Sequence, residues 1–281
     1  MELNYNKSTS EKIGNSNVHR NLGAFLQSSL GASLEKPFAF AESDNINDIV
    51  YSKADLHIHS NQSNGIDSPE DIVDAAIGKL QVIAITDHNS IKGALRAKEY
   101  ALKNKIKVDV IIGEEISTKN GHIVGLFLNN EIMPGKDARD AIYEIHKQGG
   151  IAVAAHPFSF ISSHEEGYKP VKELLHELAF DAIEVVSNSY VFSIASNIRA
   201  YLANASLDLA ELGVSNAHKK EFIGKGYTGF AGISAKEFRI QLTYKDTVAH
   251  FNPYSISETV SNAVDKLKSV YFHIFNKNQN K

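Results

Sequence analysis

The chain has 281 residues, 43% of them hydrophobic, which is enough apolar material for one large α/β domain or two small ones and excludes a disordered tail protein. Its 29 Lys plus Arg against 33 Asp plus Glu give a formal net charge of -4, so the broad basic footprint of non-specific nucleic-acid binding is missing. With no Cys, disulfides, thiolate metal sites and cysteine nucleophiles are all excluded, and any metal must be held by His, Asp, Glu or Asn.

Residues 1–20 are polar, rich in Asn, Ser and Lys, and lack the apolar core of a secretory signal, which reads as a flexible start on the cytoplasmic side. Leu22, Phe25, Leu26, Leu30 and Leu34 then recur at helical spacing until Pro37, predicting an amphipathic helix too short to span a bilayer. We read 1–50 as an N-terminal extension and expect a cytoplasmic protein without a membrane span.

From about residue 50 short β-rich runs alternate with helical stretches, the pattern of a parallel sheet or barrel. The runs are ADLHI, QVIAITD, VDVIIGEEIS, HIVGLFL, GIAVAAHP, FDAIEVVS and ELGVSNA. In SPEDIVDAAIGKL, Ser68 is placed to cap a helix and Pro69 to occupy its first turn. In KDARDAIYEIHKQGG, Gly149 and Gly150 supply the C-terminal stop. Asn120-Gly121 between two β runs predicts a type I′ hairpin, and hence one antiparallel excursion in an otherwise β/α domain spanning 51–232. Beyond that, 233–281 reads as a C-terminal extension ending in an amphipathic helix with Val260, Ala263, Val264, Leu267, Val270 and Tyr271 on one face.

Six of the 12 His fall at or just after the ends of predicted strands, where β/α folds place their chemistry. In Asp55-Leu56-His57-Ile58-His59, period-2 geometry puts Asp55, His57 and His59 on one strand face, where two imidazoles can chelate one cation. His88 follows the strand VIAIT, Glu114 and Glu115 end VDVIIG, His122 opens the strand after Asn-Gly, His156 ends IAVAA, and Asn216 and His218 end the last run. Strand ends in a barrel converge on one pocket, so these residues are candidates for a shared site. His146, His164, His176, His19, His250 and His273 sit in helix faces, polar loops or weakly patterned segments and read as structural.

The ordered set DLHIHSNQSNG, ITDHNS, GEEIS, GHIVGLF, AAHP and SNAHKKEFIGKGYTGF resembles the polymerase and histidinol phosphatase (PHP) family of metal-dependent phosphoesterases. The resemblance implies an α/β fold, a distorted (β/α)7 barrel of the PHP type, here with N- and C-terminal helical extensions, and two to three divalent metal ions (Mn, Zn or Fe) at its mouth. On the family pattern His57 and His59 hold a first metal with Glu115 and the position of Asn216. Glu115 bridges to a second metal completed by His122 and His156, while a third draws on Asn64, His88 and His218. Asp55 and Asp87 are expected behind the metal ligands, orienting imidazoles.

Asn64 and Asn216 stand where the family commonly has Asp. An amide oxygen can ligate but brings no negative charge, so two readings follow. One is a hydrolase of phosphate esters, taking a small phosphomonoester or nucleotide and using a water activated by the metals rather than a side-chain nucleophile. The other is a degenerate, non-catalytic metal- or ligand-binding module of the same fold. An amidohydrolase also opens with His-x-His, but the strand FDAIEVVS has no Lys for a carbamylated bridge. Lys219, Lys220 and Lys225 are candidates for phosphate binding by position, but a solvated loop is the preferred reading for each. The expected partner is a small-molecule phosphoester, with no strong nucleic-acid signal.

Overall fold

The computed structural model describes residues 50–159, 171–187, 193–252 and 254. The two terminal amphipathic stretches, with His19, His164 and His273, lie outside the described residues. Among the described residues nine strands form one sheet in the order β7-β6-β5-β4-β3-β2-β1-β8-β9. Its strands are β1 (Tyr51–Ile58), β2 (Val82–Ile85), β3 (Asp109–Thr118), β4 (Gly121–Leu126), β5 (Ile151–Ala154), β6 (Ala182–Ser187), β7 (Ala210–Val214), β8 (Gly226–Ala231) and β9 (Val248–Phe251). Helices α1 (Pro69–Ala76), α2 (Lys92–Lys103), α3 (Ala138–Lys147), α4 (Ser193–Leu207) and α5 (Ala235–Tyr244) cover it.

All seven β runs read from the sequence are strands, and β8 and β9 extend the sheet beyond them. The pairs β1/β2, β2/β3, β5/β6 and β6/β7 are parallel. Antiparallel pairing occurs in two places rather than one, around β4 and again where β8 meets β1 and β9. The sheet nearly closes on itself. A bridge joins Ile58 to Ala217 just past β7, and the Thr228 hydroxyl of β8 both accepts from Gly213 N–H and donates to Gly213 C=O.

Local signals account for most boundaries. The Ser68 hydroxyl accepts from Asp71 N–H at 3.1 Å with Pro69 in the first turn, Asp137 caps α3 through Arg139 N–H at 3.0 Å, and Ser234 caps α5 through Glu237 N–H at 3.3 Å. Gly149 takes φ +73 after α3, a left-handed stop that a Cβ would strain. The β3–β4 hairpin differs from its expected form. Thr118 pairs with Gly121, so the central residues are Lys119 and Asn120, and neither has the positive φ a type I′ turn needs. The Thr118 hydroxyl supports this turn instead, accepting from Asn120 N–H at 3.1 Å.

The middle of the barrel is filled by Ala54, Leu56, Val82, Ala84, Ile111, Val124, Leu126, Val153, Leu212 and Phe230, with Phe238 and Leu242 of α5 packed among them. Phe230 and Phe238 meet edge to face with centroids 5.1 Å apart. Ile58, in contrast, packs with Ile83 and Ile85 against α1 and α2. Leu56 and Ile58 thus part company, because the β1/β2 register shifts between Asp55 and Ile58 and breaks the strict alternation expected of the strand.

Closure depends on backbone approach at β7 and β8. A Cβ on Gly226 would run into the Val214 carbonyl, and one on Gly213 into the Tyr227 carbonyl. Main chain cannot give way as a side-chain tip can, so Gly226→Ala should lower unfolding free energy by at least about 2 kcal/mol. Urea denaturation measures this, and a loss below about 0.5 kcal/mol would contradict the close β7–β8 contact.

Candidate metal centre

Glu115 of β3 is 1% exposed and its two oxygens are shared among imidazoles delivered by different strand ends. Oε2 lies 3.1 Å from His57 Nε2, 3.2 Å from His59 Nε2 and 3.4 Å from His88 Nε2. Oε1 lies 2.9 Å from His122 Nδ1 and 3.0 Å from His156 Nε2. His57 and His59 come from β1 and its end, His88 from the turn after β2, His122 from β4 and His156 from the end of β5. His218 joins the rim, its ring 4.4 Å from that of His59.

The backbone is bent to deliver these groups. His156 and Asn216 have positive φ, 29° and 48°, at the ends of β5 and β7. Non-glycine residues adopt such angles only where surrounding bonds hold them. Asn216 C=O lies 3.1 Å from His218 Nδ1, fixing that ring. The Asn216 side-chain oxygen is buried without a partner.

Of the adjacent acids only Glu115 faces the imidazoles. Glu114 turns the other way and accepts from Ile132 N–H at 2.9 Å. Asn64 does not join the cluster either; it is exposed in the turn after β1, and Ser63 is its side-chain partner at 3.5 Å. Asp55 and Asp87 correct the expectation that they orient imidazole rings. Asp55 accepts from Ser215 N–H at 3.0 Å and Gly224 N–H at 2.8 Å, latching β1 to the end of β7. Asp87 accepts from Ser60 N–H at 2.7 Å and from the hydroxyls of Ser60 and Ser63, each at 2.6 Å. Asp55 also takes a hydrogen bond from the His57 backbone N–H, so both carboxylates act on main-chain N–H groups and hydroxyls rather than on ring nitrogens.

The group that contacts an imidazole from behind is Glu184 of β6, whose Oε1 is 2.6 Å from His57 Nδ1. Sequence reasoning passed over it, although an acid between Ile183 and Val185 in an otherwise apolar run was the available signal. Lys220 is occupied by Asp71 at 3.2 Å and Asp67 at 3.8 Å, and Lys225 lies over the Tyr254 ring at 5.7 Å. His146 bonds Asp181 at 2.8 Å and His250 stacks on Tyr227, both away from this cluster.

Electrostatics separate the imidazoles. Burial acts against charge on His57, but Glu184 and Glu115 override it and hold the ring cationic, with its pKa raised to about 10. Burial, reinforced by the His218 ring, pushes His59 down to about 3, and burial likewise pushes His88 and His218 down to about 4. Burial would raise Glu115, yet His88, His57 and His122 hold it well below the ordinary carboxylate value. Neutral rings with lone pairs converging on one carboxylate are the donor set that divalent transition metals prefer. His57 Nε2 and His59 Nε2 lie only 3.1 Å apart, and buried Nδ1 atoms of His59 and His88 have no partner. His57, His59 and Glu115 form one group able to hold an ion, and His88, Glu115 and His122 another. The residues present therefore fit metal.

Residues 55–226 match the PHP domain family. The chain belongs to that family. Among similar proteins, an uncharacterized protein of Methanocaldococcus jannaschii is 37% identical over 158 residues, covering 52% of this chain and 88% of that one. A stretch of 79 residues is 42% identical to the 5′-3′ exoribonuclease of Haemophilus influenzae, covering 26% of this chain and 28% of that enzyme. Among solved structures, a two-domain protein of Bacteroides vulgatus, described as containing a predicted PHP-like metal-dependent phosphoesterase, superposes with a TM-score of 0.61. It is 21% identical, over 84% of this chain and 75% of that one, and shares the PHP fold. Among the described residues no helix is long and apolar enough to cross a membrane.

Glu114 supplies a test of the local electrostatics. Burial raises its pKa to about 7, so the folded protein keeps a proton that the unfolded chain releases near 4.5. The associated stability is complete at low pH and is lost as pH rises toward 7. In chelator, the stability of wild type relative to Glu114→Gln should fall by about 1.4 kcal/mol per pH unit across that window and then level off. Parallel stability curves in urea titrations at several pH values would contradict it.

Proposed function

We propose that this protein is a metal-dependent hydrolase of phosphate esters, acting on a small phosphomonoester or nucleotide. The observation that carries the reading is the buried Glu115 with His57, His59, His88, His122 and His156 within 3.4 Å of its oxygens. His57, His59 and Glu115 would hold one divalent ion and His88, His122, His156 and Glu115 a second, with His218 and the Asn216 amide oxygen at the edge. Ions bound there supply Lewis acidity, offsetting phosphoryl charge and lowering the pKa of water.

The chain's own groups set the conditions for this chemistry. The buried, anionic Glu115 offsets positive charge at the centre of the site. His88 and His156, 18% and 13% exposed, form the open side toward which a substrate approaches. His59, His88 and His218 stay neutral at physiological pH and so keep lone pairs available. The likeness to the exoribonuclease makes a 5′-phosphorylated oligoribonucleotide a member of the substrate panel. The second reading, a binding module without turnover, draws on the exposure of Asn64 and the neutrality of Asn216, which leave the site short of carboxylate.

Purified protein stripped by chelator and reloaded with Mn²⁺ or Zn²⁺ should hydrolyse an aryl phosphate, nucleotides or the oligoribonucleotide. Chelator should abolish turnover, and Glu115→Gln should lower kcat/KM by roughly a thousandfold, as for loss of a group on which the whole site depends. Metal-loaded protein inactive across the panel, with Asn216→Asp gaining turnover, would favour the module instead.

A further inference from the structure

Glu184 has geometry that a metal-ligand list alone does not explain. It stands in the middle of β6, 1% exposed, and divides its two oxygens between two other strands. Oε1 lies 2.6 Å from His57 Nδ1 of β1, and Oε2 accepts from the backbone N–H of His156, at the end of β5, at 2.8 Å. His156 is the residue whose backbone is bent to φ 29° at that point, and its ring stacks on His57 with centroids 5.6 Å apart. One carboxylate thus grips the ring of a histidine in one ligand group and the main chain of a histidine in the other.

We propose that Glu184 is a positioning residue that couples the two metal-holding groups, an inference that rests on the metal-site reading above. A carboxylate at Nδ1 accepts a hydrogen bond from the N–H of that nitrogen, which keeps the proton there, turns His57 Nε2 toward Glu115 and His59 and fixes the plane of the ring. Through Oε2 the same carboxylate holds the left-handed turn that brings His156 Nε2 to Glu115 Oε1. Losing Glu184 releases both at once, so the effect should reach ligands on both sides of Glu115. A group that only filled space in β6 would leave ring protonation and metal affinity alone.

The test uses the full chain and two readouts other than turnover. In Zn²⁺-loaded wild type, nitrogen-15 imidazole spectra should show His57 with a protonated, strongly hydrogen-bonded Nδ1, assigned through its ring couplings. In Glu184→Gln, which keeps the volume but cannot accept at both ends, that resonance should weaken or vanish. Calorimetric titration with Zn²⁺ should show affinity reduced 10- to 100-fold for the variant, the range found when the partner behind a ligating histidine is removed. A folded variant that binds Zn²⁺ as tightly as wild type would overturn the proposal. So would a wild-type His57 unprotonated at Nδ1, a result that needs no variant to fold. Wild type that takes up no Zn²⁺ would sink the metal-site reading, and the same resonance in the metal-free protein would still decide whether Glu184 holds His57.

Discussion

A carboxylate buried as deeply as Glu115 cannot persist as an isolated charge, since removing it from water costs several kcal/mol that only close partners offset. Here the partners are imidazoles at 2.9–3.4 Å, drawn from β1, the turn after β2, β4 and the end of β5. That requirement organises the rest of the barrel mouth. Each histidine must end its strand at one height and point to one spot, and the strand ends are bent accordingly at Asn89, His156 and Asn216, all with positive φ. Cations bound among these groups would share the compensation of Glu115 and allow the rings around it to remain neutral.

Holding the mouth in shape falls to carboxylates that do not face Glu115. Asp55 ties β1 to the end of β7, Asp87 gathers the turn after β1, and Glu184 spans β1 and β5. Each is buried and each accepts more than one hydrogen bond, the arrangement under which a buried acid rigidifies instead of merely costing stability. Gly93 makes the Asp87 network possible, because a Cβ there would collide with the Asp87 carboxylate and the Ser60 hydroxyl. Closure of the sheet by bare backbone at Gly213 and Gly226 completes a frame in which the ligands have little room to drift.

Much of this frame was legible in the chain. Short apolar runs marked β1 to β7, because strands buried on both faces must be apolar throughout, and the histidines at their ends marked the mouth. What was hidden depends on partners distant in sequence. Asp55 finds Ser215 and Gly224, 160 and 169 residues on, so its bonding to main chain rather than to an imidazole ring could not be seen in the local alternation. Glu184 read as one more strand residue for the same reason. The segment holding α5 and β9 looked weakly patterned because α5 buries few residues, with Phe238 and Leu242 carrying its packing. Asn64 shares the turn of the expected motif, yet its side chain points to solvent and Ser63.

The central claim is that the imidazoles around Glu115 exist to hold metal and not merely to neutralise a buried acid. Anomalous diffraction from crystals grown with Mn²⁺ or Zn²⁺ tests it most directly. Anomalous peaks are expected within bonding distance of Glu115, one flanked by His57 and His59 and another by His88 or His122. Crystals soaked at saturating metal that show no peak beside Glu115, with the rings still hydrogen-bonded to its oxygens, would contradict it.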